Sequence, residues 1–157
     1  MKKLALIFAC LSLIVTTISC NDDEETKQEF PIVGTWKPVK EVRTTVDLNG
    51  VGVSDEITYT TCQQESRWVF NEDTSGKRTN RDEVGSTPTC STISVRNFNY
   101  NYNKSDQNFE IKYQGTVVSE KGKVVDLNAE TLNLKIEDTT DPDLYKATTY
   151  TFKRVTQ

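Results

Sequence analysis

The sequence predicts an all-β domain, a barrel or a sandwich of short antiparallel strands. Three observations carry this expectation. From Phe30 onward apolar residues recur with period two rather than 3.6, turn-forming residues interrupt the pattern at short intervals, and no long helical stretch separates the runs. A run that alternates apolar with polar presents one face to a core and the other to water, as half-buried antiparallel strands do.

About eight strands follow in order. The first, over 33–46, opens on Gly34-Thr35-Trp36 and ends before the Asn49-Gly50 turn. Two shorter ones are expected over 56–63 and 66–70, the latter alternating Trp68 and Phe70 with Val69. A turn from Asn71 to Gly76 leads to a fourth strand over 77–81. The fifth, over 92–102, sets Phe98, Tyr100 and Tyr102 against Asn97, Asn99, Asn101 and Asn103. After Lys104-Ser105-Asp106 a sixth, over 108–119, alternates Phe109, Ile111 and Tyr113 with Glu110 and Lys112. Beyond Lys121-Gly122 the segment 123–137 breaks near Asn128 and carries Leu132, Leu134 and Ile136 on one face. Asp141-Pro142-Asp143 turns into the last strand, over 144–155, with Tyr150 and Phe152 between threonines. A transmembrane barrel needs apolar residues facing lipid along membrane-length strands. Here the alternating strands share an acidic, polar exterior.

The chain before this domain has another character. Lys2 and Lys3 precede an uncharged run from Leu4 to Ile18, followed by Ser19 and Cys20. A basic start, a short apolar middle and a small residue before the cut describe a secretory signal, and the run is shorter than the ~20 residues a spanning helix needs. The expected organisation is a signal over 1–19, an acidic tether over 20–29 that includes Asp22, Asp23, Glu24 and Glu25, and one domain over 30–157. Thr17-Ile18-Ser19 also fits an ordinary signal-peptidase site, which would leave Cys20 as a plain first residue. Removing 19 of 157 residues leaves 138, enough for one domain with a real core. Without Lys2 and Lys3 the 19 basic side chains become 17 against 23 acidic ones, a net charge of −6. An acidic surface repels phosphate backbones, so nucleic acid is not an expected partner. Lys77, Arg78 and Arg81 form the densest basic cluster, but Glu72, Asp73, Asp82 and Glu83 surround it, and the segment reads as a mixed-charge hairpin tip.

With Cys10 in the signal and Cys20 at its boundary, Cys62 and Cys90 remain. An even pair in an exported chain favours a disulfide, worth roughly 3 kcal/mol in loop entropy. A redox or metal-binding pair would call for CxxC spacing or a neighbouring histidine. The chain contains no histidine, which removes the commonest general base, Ser-His and Cys-His activation and most zinc sites. Asp138, Asp141 and Asp143 lack the glycine and terminal glutamate of a calcium loop. The acidic pairs sit in the tether and at hairpin tips, where water keeps carboxylates ordinary. No catalytic residue, metal or cofactor is expected.

Two sets of residues resemble known families. Thr17-Ile18-Ser19-Cys20 resembles the bacterial lipobox, and the acidic string after it resembles the export signal of Bacteroidota surface lipoproteins. The resemblance implies acylation of Cys20 and attachment to the outer membrane by lipid, with the domain exposed at the cell surface. Gly34-x-Trp36 together with Thr151-Phe152-Lys153-Arg154-Val155 resembles the lipocalins, in which a late arginine packs across the tryptophan at the closed end of the barrel. Cys62 before Trp68-Val69-Phe70, Cys90 after the next hairpin, and the leucine-rich stretch 127–134 resemble the small lipocalin-like domain of Bacteroidota lipoproteins. The lipocalin Thr-Asp-Tyr motif is missing.

The resemblance implies a single up-and-down barrel of about eight strands, with Gly34, Trp36 and Arg154 as its floor. It also implies a non-catalytic protein holding a small apolar or amphipathic ligand. Trp68, Phe70, Phe98, Tyr100, Tyr102, Phe109, Tyr113, Tyr150 and Phe152 are the candidate lining residues. They either form an aromatic cup or fill a narrow barrel as core. Tyr100 and Tyr102 are expected toward the open end. The alternative function is a filled-core module that recruits a protein or glycan through loops or an open sheet edge.

Overall fold

The nine strands of the computed structural model, which describes residues 30–156, are antiparallel to their neighbours and close on themselves. They are β1 (Gly34–Val46), β2 (Gly52–Thr58), β3 (Arg67–Phe70), β4 (Ser75–Val84), β5 (Thr89–Tyr102), β6 (Asn108–Tyr113), β7 (Glu120–Leu127), β8 (Thr131–Asp138) and β9 (Tyr145–Arg154). Cys20, the expected lipidation site, lies outside the described residues.

Closure runs through β1. One of its edges pairs with β9 from Trp36↔Arg154 to Val46↔Tyr145. The other edge is shared: Gly34↔Phe70 to Trp36↔Trp68 with β3, and Lys40↔Thr58 to Val46↔Gly52 with β2. β2 and β3 therefore run in the same direction along one edge, as two pieces of a single strand parted by residues 59–66. Counted this way the barrel has eight positions and an up-and-down order. Among the described residues the outer edge of β2 has no strand partner.

Local chemistry explains where strands stop. The expected strand over 56–63 ends at Thr58, because Gln64 N–H donates to Thr60 O at 2.9 Å and Gln63–Glu65 forms a 3-10 turn. The expected strand over 108–119 ends at Tyr113, where Gly115 takes φ +83° and Thr116 N–H turns back to Tyr113 O. The break near Asn128 divides β7 from β8: its Oδ1 accepts from Glu130 N and Thr131 N at 3.0 and 2.8 Å. β4 and β5 extend beyond their expected ends into a long hairpin. Cys62 and Cys90 are disulfide-bonded, with Cα atoms 5.4 Å apart. The bridge joins the 59–66 connection to the upper part of β5, not strand to strand.

Alternation decides the core. Phe98 and Tyr100 are buried while Asn97, Asn99 and Asn101 are exposed, and Phe109, Ile111 and Tyr113 behave alike on β6. Trp36, Trp68, Phe70, Val124, Leu132, Leu134 and Phe152 complete the interior. Aromatic rings touch in a continuous set, including Phe70–Tyr100 at 5.0 Å and Trp68–Phe152 at 5.2 Å. Gly76 makes room for it, since a Cβ there would stand 2.1 Å from the Phe98 ring.

Strand direction gives the barrel two different ends. The turns 71–74, 103–107 and 128–130 lie at the end where β1 begins and β9 finishes; the loops 47–51, 85–88, 114–119 and 139–144 lie at the other. The first end is sealed. Trp36 is fully buried and its indole N–H donates to Ile32 O at 2.8 Å. The Arg154 guanidinium lies 4.1 Å from the Trp36 ring centroid and donates to Ala129 O, Val33 O and Pro31 O at 2.8, 2.9 and 2.7 Å. One side chain thus binds the chain entry, the β7–β8 turn and the floor tryptophan. Replacing Arg154 with alanine is expected to cost about 2 kcal/mol, from the lost charge-assisted hydrogen bonds and ring contact. Urea unfolding reads the loss, and a change under about 0.5 kcal/mol, the ordinary scatter of surface substitutions, counts against it.

Candidate functional site

Above the aromatic floor the interior changes character. β1 carries a bulge between Pro38 and Lys40, so both Pro38 and Glu41 turn inward although they are three residues apart. On β9, facing Glu41 across the pair, Tyr150 points in. β4 contributes Arg78 and Asn80 from the parity set by Gly76, and the 59–66 connection lowers Tyr59 and Ser66 over the same space. These groups line a half-open cavity of about 300 Å³ whose base includes Trp68 and whose rim includes Ile93.

The cavity is polar and charged. Glu41 is 4% exposed. The Tyr59 hydroxyl donates to its Oε2 in a short contact, and Arg43 Nη2 approaches its Oε1 at 2.5 Å without an aligned hydrogen bond. The Arg78 guanidinium stacks 4.3 Å from the Trp68 ring centroid and 5.8 Å from that of Tyr150. Its Nε donates to Asn80 Oδ1 at 2.9 Å and its Nη1 to the Tyr113 hydroxyl at 3.2 Å. Burial pushes the Tyr113 and Tyr150 hydroxyls above the ordinary phenol value. For Tyr59, burial and then the Glu41 carboxylate push in the same direction, and strongly. All three therefore remain protonated donors near neutral pH. Among the described residues no group of His, Cys, Asp or Glu is disposed to hold a metal ion.

The nine candidate lining residues fall into two groups. Trp68 and Tyr150 line the cavity, and Tyr113 reaches it through Arg78. Phe70, Phe98, Tyr100, Phe109 and Phe152 pack together below, and Tyr102 covers the same cluster from its edge. Tyr100 and Tyr102 lie at the sealed end rather than the open one: β5 descends toward the floor, and the Tyr100 hydroxyl donates to Asn71 O at 2.7 Å in a floor turn. Gly34, Trp36 and Arg154 meet at that same end, where a Cβ on Gly34 would stand 2.5 Å from Arg154 Nη1.

Glu41, Tyr59 and Arg78 escaped the sequence reading. Arg78 is not part of a solvated hairpin tip. Lys77 points to solvent, Arg81 pairs with Glu65 at 2.6 Å, and Arg78 between them turns into the barrel. The available signal was alternation, because Gly76, Arg78 and Asn80 share a face, but no apolar residue marks that face as inward.

A family profile described as a lipocalin-like domain matches residues 32–134. No curated protein matches the chain. Among solved structures the chain is similar to lobster apocrustacyanin A1 at 9% identity and TM-score 0.47, covering 80% of this chain and 61% of that one. It is also similar to bovine odorant-binding protein in complex with a selenium-containing odorant, at 12% identity and TM-score 0.43, covering 85% and 78%. A deswapped triple mutant of the bovine protein gives 14% identity and TM-score 0.40, over 79% and 74%. The chain thus spans about three-fifths of the length of the crustacyanin.

Proposed function

The chain belongs to the lipocalin-like domain family, and on that premise we propose that it is a non-catalytic binding protein that holds a small amphipathic molecule in the cup at its open end. The observation that carries this reading is the division of the interior. An aromatic floor is packed solid, while the space above it is lined by Glu41, Tyr59, Arg78 and Tyr150 over Trp68. A core built only for stability gains nothing from buried charges, which are costly to desolvate. A ligand site needs a few convergent polar groups on an apolar base. At about 300 Å³ the cup is at the lower end of the ~300–1,000 Å³ of ligand sites, which suits a short molecule and not a long lipid.

Native mass spectrometry of protein purified under mild conditions tests the reading. The expected result is a small molecule retained by the wild type and held less well by Tyr150→Trp, whose larger ring narrows the cup. An empty wild type that also takes up nothing from a mixture of short amphipathic compounds would remove the container reading in favour of a module acting through its loops.

We also propose that Cys20 is acylated and holds the protein on the outer membrane, facing the cell exterior. The charge and length pattern of residues 1–20 supports it. Pro31 and Val33 bind Arg154 at the sealed end, so a tether arriving there would leave the mouth pointing away from the lipid. A Cys20→Ala variant is expected to leave the membrane fraction, since one thiol is the site of attachment; retention at the wild-type level would refute the anchor.

A further inference from the structure

We infer that the headgroup the cup recognises is a single carboxylate, seated on Arg78, so that the ligand is a short apolar or aromatic monocarboxylate; this rests on the container reading above. Three guanidiniums and two carboxylates line the cavity: Arg43, Arg78 and Arg81 against Glu41 and Asp82. Arg43 pairs with Glu41, and Arg81 pairs with Glu65 at 2.6 Å while donating to Cys90 O at 3.0 Å. Asp82 accepts from Gln63 Nε2 at 3.2 Å and from Glu83 N at 2.8 Å. Among the described residues Arg78 is the lining guanidinium without a carboxylate partner.

Glu41 and Asp82 line the same cavity, but their polar partners are Tyr59, Arg43, Gln63 and Glu83, and the groups in direct contact with Arg78 carry no charge. Asn80, Tyr113, Trp68 and Tyr150 are neutral, and the tyrosines stay protonated because burial opposes their ionisation. A guanidinium has five N–H donors in a planar fork matched to a carboxylate. Its Nε donates to Asn80 and its Nη1 to Tyr113, and Tyr150 is a further hydrogen-bonding neighbour, so part of the fork remains for a ligand. A half-buried guanidinium with no paired carboxylate gains charge-assisted, bidentate hydrogen bonds when an anion enters.

The remaining walls restrict the anion further. Glu41 shares the cavity and accepts from Tyr59, so a second negative charge on the ligand would meet it across the cup. This selects a monoanion. The Trp68 ring under Arg78 closes the path downward, which places the headgroup deep and the rest of the molecule toward Ile93 at the rim, 53% exposed. The charged end therefore goes in first and the apolar end faces the mouth.

Calorimetric titration of the full chain with two matched series provides the test: straight-chain carboxylates from butanoate to dodecanoate with benzoate, and the corresponding neutral alcohols. The inference expects at least one carboxylate to bind ten times or more tighter than its alcohol. In Arg78→Gln that carboxylate should lose at least tenfold in affinity and its advantage over the alcohol should collapse, with Arg78→Lys in between because a point charge lacks the fork. The carboxylate-to-alcohol ratio of the wild type needs no variant, so a misfolded Arg78→Gln protein does not spare the inference. Alcohols binding as well as carboxylates would overturn the anionic assignment and leave the container reading standing. Failure of every member of both series would overturn the two together.

Discussion

Replacing Trp68 with alanine is expected to lower the free energy of unfolding by about 4 kcal/mol, as large-to-small changes of buried aromatics do. Trp68 is 2% exposed, and its ring centroid lies 5.2 Å from Phe152, 5.5 Å from Tyr150 and 6.3 Å from both Phe70 and Phe98. The side chain is at once the top of the packed floor and the base of the cup. Its removal joins a new void to the cavity above and takes the stacking surface from under Arg78. Stability and carboxylate binding should fall together, whereas Trp68→Phe should recover most of the packing. Urea unfolding with Trp36 fluorescence as the probe measures the first effect. A loss below about 1.5 kcal/mol, little more than the centre of the distribution for point substitutions, would mean the ring does not hold the floor.

A larger disturbance per added atom is expected at Gly122. A Cβ there would stand 1.8 Å from Lys135 O, 2.8 Å from Lys135 C and 3.0 Å from Ile136 Cα. All three are backbone atoms of β8, so no side-chain rotation relieves the contact and β7 must move away from its partner. Gly122↔Ile136 and Gly122↔Phe109 are register pairs on its two sides, which places the collision in the interior of the sheet. Gly122→Ala should cost more than about 3 kcal/mol, the upper end of overpacking penalties, and hydrogen exchange should accelerate at amides of β7 and β8 before those of β1 and β9. Gly115→Ala makes the contrast, since that Cβ meets nothing within 4 Å and only the φ of +83° opposes it, a penalty of about 1–2 kcal/mol. Equal losses at the two glycines would show that backbone conformation and not strand contact governs Gly122.

Much of the barrel can be read directly from the residues. A period of two is a property of the extended chain, so Phe98, Phe109, Leu132, Leu134 and Phe152 announce the inward face of their strands wherever those strands go. Asn128 marks a strand end through its own hydrogen bonds, a local signal, whereas the expected strand over 108–119 passes over Gly115, whose positive φ turns the chain after β6. The Cys62–Cys90 bridge follows from there being no other pair in the domain.

Which end of the barrel a residue occupies is not a local property. Tyr100 and Tyr102 belong to the floor because β5 runs downward, and its direction depends on how many strands precede it; the split of one strand into β2 and β3 changes that count. The cup residues were hidden for a related reason. Strict alternation from Trp36 sends Lys40 inward and Glu41 to solvent, and one extra residue in the bulge after Pro38 reverses the assignment. Arg78 carries no apolar mark of burial, and its inward place is made by Trp68 on the neighbouring strand, whose ring receives the guanidinium. The sequence by itself therefore determined the strand class, the core face and the disulfide, because each rests on periodicity or on a residue's own chemistry. Only the tertiary structure decided the position of the floor and the charge of the cup, because both depend on strand count, register and bulges that bring distant residues to one height.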